Sequence, residues 1–335
     1  MELRKLLSSK KVLVVGDIIL DHYIHGKVYR VSPEAPVPVV LKNQSVYCLG
    51  GASNVAQNIT SFGSECYLLG ITGEDQQSTI LENLLKENGV SPFIVKDPSR
   101  TSTEKTRIIG NGHQITRIDT ETTDPITDDI KNEILSIFRS VIGLVHGVIL
   151  QDYGKGLLTP DLIQELISIS KENGKTVLVD PKDKDFSRYS GATWIKPNLL
   201  EFKNALAIPQ QTQLTKNDIC KLSDKLSNEF SFEGILVTMS EDGMVAKTND
   251  YWEYVDGDKI EVTDVSGAGD TVSAVFLLMQ ISGINLRDTL RISNLAGSLV
   301  CQISGAVPIN TSQLFKEASG RGWVLTNVSG ENILI

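Results

Sequence analysis

The stretch DVSGAGDT, residues 264–271, sets three small residues, Gly267, Ala268 and Gly269, and then an acid, Asp270, in front of a long apolar run. In that run Val272, Val275, Phe276 and Met279 spread around much of a helix's circumference, which predicts a buried helix. The first turn of such a helix presents unpaired amides at a fixed place with the positive dipole end outward, and small residues let an anion approach the backbone. An acid beside this anion hole would be repelled by a bound phosphate unless it has a task of its own. Accepting a proton from a hydroxyl that attacks a transferring phosphoryl group is such a task. The local pattern leaves a second reading open, in which Asp270 only caps a helix.

Other nucleotide motifs fail on inspection. The NGKT at 173–176 has Ile169 where a Walker A loop needs glycine, and Gly267-x-Gly269 is followed by Val272 instead of the third glycine of a dinucleotide fingerprint. His22 and His25 are spaced like a metal pair, but no third ligand lies nearby in sequence, so both read as structural. Cys48, Cys66, Cys220 and Cys301 are far apart, with neither a CxxC pair nor a zinc-like spacing, and are expected to be free thiols in a reducing compartment.

The elements that must position Asp270 follow from the surrounding texture. KVLVVGD (11–17) reads as a buried strand ending in a loop, with Gly16 and Asp17 at its exit. After residue 125, helical segments at about 127–143 and 160–173 alternate with the strands GVILQDYG, TVLVDPK, TWIKPN and GILVTMS. Alternation of this kind implies an α/β fold, a mostly parallel sheet covered by helices on both faces, with ligands at the carboxyl ends of the strands. Two proline-punctuated or turn-rich stretches, about 22–49 and 93–119, have strand character without helical period and are expected to form a small β lid inserted in a single domain over residues 1–335.

The chain has 335 residues and a formal charge of −9, with 41% of residues from the set AVILMFWYC. It can bury a large core. Without a basic block it lacks the electrostatic footprint for nucleic acid, so any anion must be held by a local cluster. The N-terminal apolar run is broken at Asp17 and no stretch reaches 18 apolar residues, so neither a signal peptide nor a membrane span is expected and the protein is expected to be cytoplasmic.

Four motifs in order along the chain resemble the ribokinase-like carbohydrate kinase family: GGASNVAQN (50–58), KPNLLE (196–201), VTMSEDG (237–243) and DVSGAGDT. Val275 and Ser240 stand where many members have a small residue and a glycine. The longer stretches GDIILDHYIHG, RVSPEAPVPVV, QDYGKGLL and VDPKDKDFSRYSGATWIKPN are most similar to the branch of kinases acting on D-glycero-D-manno-heptose 7-phosphate. In many bacteria that kinase is fused to an adenylyltransferase with an HxGH motif, which this sequence lacks, so the kinase alone is expected.

The resemblance implies roles. Asp270 is the catalytic base and Gly267, Ala268 and Gly269 form the anion hole. Asp21, Asp17, Gly51 and Asn54 are sugar-side residues, with Asp21 and Asn54 paired as an accepting and donating fork; an Asx turn is the plain alternative for either. Asn198, Thr238, Ser240 and Gly243 lie on the ATP side, and Glu201 with Asn198 orients Mg²⁺ through water, against the alternative of a surface helix acid. Arg107, Lys155, Lys182 and Arg188 are expected to hold the sugar and nucleotide phosphates, although any one of them could be a solvated charge. The exposed lid strands suggest a homodimer formed through the lid, with no membrane or nucleic-acid partner.

Overall fold

The computed structural model describes residues 2–335. Its strands, in chain order, are β1 (Lys11–Gly16), β2 (Ile18–Val31), β3 (Pro38–Gly51), β4 (Glu65–Thr72), β5 (Ser91–Lys96), β6 (Thr103–Gly110), β7 (His113–Thr120), β8 (Gly147–Gln151), β9 (Thr176–Asp180), β10 (Trp194–Ile195), β11 (Gly234–Thr238), β12 (Met244–Thr248) and β13 (Trp252–Val255), followed by a C-terminal hairpin. Nine of them form one sheet in the order β13-β12-β11-β10-β9-β8-β1-β4-β5, parallel except where β12 and β13 turn back at one edge.

The strands are apolar on both faces because both faces are covered. Successive residues divide between two cores: Val12, Val14, Ile149, Leu178 and Leu236 join the core built on helices Ala52–Ser61, Ala268–Ile281 and Leu286–Val300, whereas Leu13, Val15, Val148, Val177 and Val237 join the core under helices Asp128–Val141, Pro160–Glu172 and Lys216–Phe230. Every residue from Asp270 to Met279 is buried, as an apolar circumference requires, and Phe276 meets Trp194 edge to face at 4.9 Å. Burial of Asp270 follows from its helix, not from its own chemistry.

A second sheet, in the order β3-β2-β6-β7, projects from the carboxyl ends of the parallel strands. It is the expected β lid with altered limits. The lid strands begin at Ile18 and run to Gly51, and residues 93–96 belong to β5, which pairs with β4 in the main sheet. The short apolar run in FIVK reports a partly buried strand but not which sheet accepts it. The GNGH turn is a hairpin with Asn111 and Gly112 both at positive φ (53° and 84°), the pairing that matches strand twist. No helix among the described residues is long and apolar enough to cross a membrane.

Candidate active site

Five elements meet at one place. Helix Ala268–Ile281 brings Asp270, helix Ala52–Ser61 brings Asn54, the end of β8 brings Gln151 and Tyr153, and the ends of β9 and β10 bring Asp180 and Lys196. Gly267 makes the approach possible. It sits at φ 80°, and a Cβ there would lie 2.5 Å from Nδ2 of Asn54. No side chain caps this helix; the N–H of Ala268 meets the Val265 carbonyl at 3.3 Å, and the other backbone N–H groups of the first turn have no side-chain acceptor. The capping reading of Asp270 does not hold.

Asp270 is buried, and its carboxylate accepts hydrogen bonds from Nδ2 of Asn54 at 2.8 Å, Nε2 of Gln151 at 3.1 Å and the hydroxyl of Tyr153 at 2.7 Å. Burial pushes its proton affinity up to about 7, against the donors from Asn54 and Tyr153, with nearby Asp180 adding to the rise. A carboxyl poised near neutral pH is matched to proton acceptance. Lys196 is 3% exposed and bridges to Asp180 at 2.9 Å; a Cβ on Gly269 would stand 3.7 Å from its Nζ. A fixed cation therefore faces the mouth of the anion hole.

The sugar-side acids divide their work differently from the expected fork. Asn54 is fully buried, donates to Asp270 and accepts from Gln57 at 2.7 Å, so it is not paired with Asp21. Asp21 instead pairs with Arg107, whose guanidinium lies 5.2 Å from the Tyr23 ring centroid. Asn54 is taken up by Asp270 and by Gln57 of its own helix Ala52–Ser61. Asp17 accepts from the backbone N–H of Tyr153 at 2.8 Å and of Lys155 at 3.1 Å through Oδ2, while its buried Oδ1 has no partner among the described residues. Burial and Asp152 raise its carboxyl to about 6. Gly51, at φ 57°, packs against the carbonyl of Asp17 where no side chain would fit.

Of the four expected phosphate cations, three carry ion pairs: Arg107 with Asp21, Lys155 with Glu121 at 2.8 Å, and Arg188 with Asp183. Arg188 also donates to the carbonyl of Leu158 at 2.8 Å, which makes it a brace for its own loop. Lys182 has no ion pair among the described residues and lies against Gly154. Lys105, which the sequence did not single out, points from the lid with its Nζ 6.0 Å from the Tyr153 ring centroid; burial and the charge of Lys155 lower its proton affinity. Lys105, Lys155 and Lys182 thus flank the loop that follows β8.

On the opposite side, Asn198 and Glu201 form a reciprocal helix cap, Glu201 N–H to Oδ1 of Asn198 and Asn198 N–H to Oε2 of Glu201, both at 2.9 Å. The capping box leaves Oε1 of Glu201 free. Burial first, then Asp180, raises the Glu201 carboxyl, so a nearby cation would relieve it. Asn198 bridges to Thr238 at the end of β11, and Ser240 and Gly243 follow in one tight turn. Ser240 sits at φ 52°, a backbone conformation that favours glycine.

A sequence profile of the pfkB family of carbohydrate kinases matches residues 9–312. The chain belongs to this family. It is 38% identical to the bifunctional protein HldE of Caulobacter vibrioides over 319 residues, 95% of this chain and 65% of that one, and 39% identical to HldE of Campylobacter fetus over 86% of this chain and 62% of that one. The chain therefore spans a little under two thirds of the length of these curated relatives. Its fold matches phosphofructokinase-2 from Escherichia coli with a TM-score of 0.77 at 16% identity, covering 94% of this chain and all of that one. Arabidopsis thaliana ribokinase, complexed with ribose and ATP, matches at 0.71 and 18% identity, over 92% and 98% of the two chains.

Within this pfkB kinase, sequence reasoning missed Gln151, Tyr153, Asp180, Lys196 and Lys105. All but Lys105 lie inside or beside motifs already visible, at strand ends where a parallel sheet collects ligands. That position was the available signal. His22 bonds Glu104 at 2.8 Å and Ser45 at 2.7 Å, a structural role.

Proposed function

We propose that this carbohydrate kinase transfers the γ-phosphoryl group of ATP to the anomeric hydroxyl of D-glycero-D-manno-heptose 7-phosphate, giving the 1,7-bisphosphate, a precursor for ADP-heptose and the lipopolysaccharide core. The observation that carries the reading is the buried Asp270 carboxyl, poised at about 7 beside an uncapped helix N-terminus and Lys196. Asp270 accepts the hydroxyl proton as the oxygen attacks, while the amides at Gly267 and Gly269, in the turn that Ala268 completes, and the Lys196 ammonium offset charge on the phosphoryl oxygens.

Mg²⁺ fits the residues present. Among the described residues no cluster of three or more His, Cys, Asp or Glu could cage a metal, but Mg²⁺ is commonly held by one or two carboxylates, water and phosphate oxygens. Glu201, whose Oε1 takes no part in the capping box and whose carboxyl burial raises, and Asp180 beside it are the residues that would hold it. When bound, it supplies neutralisation of charge on the ATP phosphates. ATP would lie along Asn198, Thr238, Ser240 and Gly243, and the heptose between Asp270, Asp17, Asp21 and the lid.

The 7-phosphate falls to the cations around the loop after β8, Lys182 and Lys105 first, because neither forms an ion pair among the described residues. Exposed Tyr29, Val31, Leu41 and Ile118 on the lid support a homodimer formed lid to lid, and a cytoplasmic kinase fits the free thiols and the nucleotide it uses. Replacing Asp270 by Asn tests the reading. Turnover by coupled ADP release should fall at least ~10²-fold with nucleotide binding intact; near-normal turnover by a folded Asp270→Asn removes Asp270 from the chemistry.

A further inference from the structure

The two oxygens of the Asp270 carboxylate are not equivalent. Oδ1 accepts from both Gln151 and Tyr153, at 3.1 and 2.7 Å, whereas Oδ2 accepts from Asn54 alone, at 2.8 Å. A carboxylate oxygen offers two acceptor sites, so Oδ1 is filled and Oδ2 keeps one open. We propose that Tyr153 is a positioning residue for phosphoryl transfer: with Gln151 it fills Oδ1, which directs the proton of the attacking hydroxyl to Oδ2. The inference rests on Asp270 being the base. In the step, the acceptor O–H bond breaks and its proton passes to Oδ2. The acceptor oxygen bonds the γ-phosphorus while the bond from that phosphorus to the β,γ-bridging oxygen breaks, releasing ADP.

The loop is built to hold Tyr153 still. Asp17 accepts from the N–H of Tyr153 and of Lys155, and Asp152 accepts from the N–H of Gly154 at 2.8 Å and from the Tyr189 hydroxyl at 2.6 Å. Buried carboxylates turned on a loop's own amides fix its backbone. Burial and the charge of Asp270 push the Tyr153 phenol well above its usual range, so it remains a donor at working pH.

The groups facing Asp270 are Asn54 from helix Ala52–Ser61, Gln151 and Tyr153 from the end of β8, Asp180 from β9 and Lys196 following β10. Asp180 raises its proton affinity, and Asn54, Tyr153 and Lys196 lower it. Removing the phenol donor should therefore make the base harder to ionise.

Tyr153→Phe keeps the ring and removes only the donor. The test is the pH profile of kcat and of kcat/KM with ATP and heptose 7-phosphate, for wild type and Tyr153→Phe, with Asp270→Asn as the control. The inference expects the acid limb of both profiles to move up by roughly one pH unit, the scale of a hydrogen bond to a charged group, with activity recovering at high pH. An unmoved limb overturns it, as does a limb that moves in kcat/KM alone, because Tyr153 would then leave Oδ1 when the sugar binds. An active Asp270→Asn would instead overturn the assignment of the base, whatever Tyr153→Phe does.

Discussion

The Asp270 carboxyl keeps its proton up to about pH 7 in the folded chain because burial outweighs the amide and phenol donors around it. An unfolded aspartate releases its proton near its ordinary value of about 3.9. Between those two values the folded state binds more protons, so this residue's contribution to stability declines as pH rises through the interval and levels off above about 7. Asp17, raised to about 6 by burial, acts in the same sense over a narrower window. An asparagine at 270 does not titrate. The melting temperature of Asp270→Asn relative to wild type should therefore rise from pH 5 to pH 8, by an increment on the order of a few kcal/mol in stability. An equal difference at both pH values would contradict a buried, charged base.

Helix ends and strand ends carry the rest of the site, and one of them separates structure from chemistry cleanly. The capping box of Asn198 and Glu201 accepts glutamine as readily as glutamate at its third position. Glu201→Gln should leave the melting temperature nearly unchanged while raising the Mg²⁺ concentration needed for half-maximal rate at saturating ATP. An unchanged Mg²⁺ titration would reduce Glu201 to a helix cap. At this scale much was legible in the sequence: the buried helix behind Asp270, the alternating strands and helices, and the lid hairpin at GNGH are local patterns with local causes. Tyr153, Gln151 and Lys196 were not legible, since what assigns them is contact with Asp270 and Asp180, residues far away in sequence and brought near only by the order of the parallel strands. The pairing of Arg188 was not legible for the converse reason. A cation at a strand exit looks free until its loop folds back and places Asp183 and the Leu158 carbonyl on it.

Across the whole molecule, a net charge of −9 gives no general attraction to a substrate that already carries a phosphate. Selectivity must come from placed cations at the one end of the sheet where the lid root and the loop after β8 meet. Among the described residues Lys182 and Lys105 form no ion pair there, while Arg107, Lys155 and Arg188 are already paired. Charge-assisted contacts to a phosphate are worth roughly 1.5–3 kcal/mol each. Two of them separate a phosphorylated from an unphosphorylated sugar by about 10² or more. The most direct measurement is kcat/KM for D-glycero-D-manno-heptose with and without its 7-phosphate, repeated on Lys182→Ala and Lys105→Ala. This account predicts a preference of about 10² or more for the phosphorylated sugar, eroded by each substitution; equal efficiency on the two sugars would contradict it and point to a kinase of a free hexose, pentose or nucleoside.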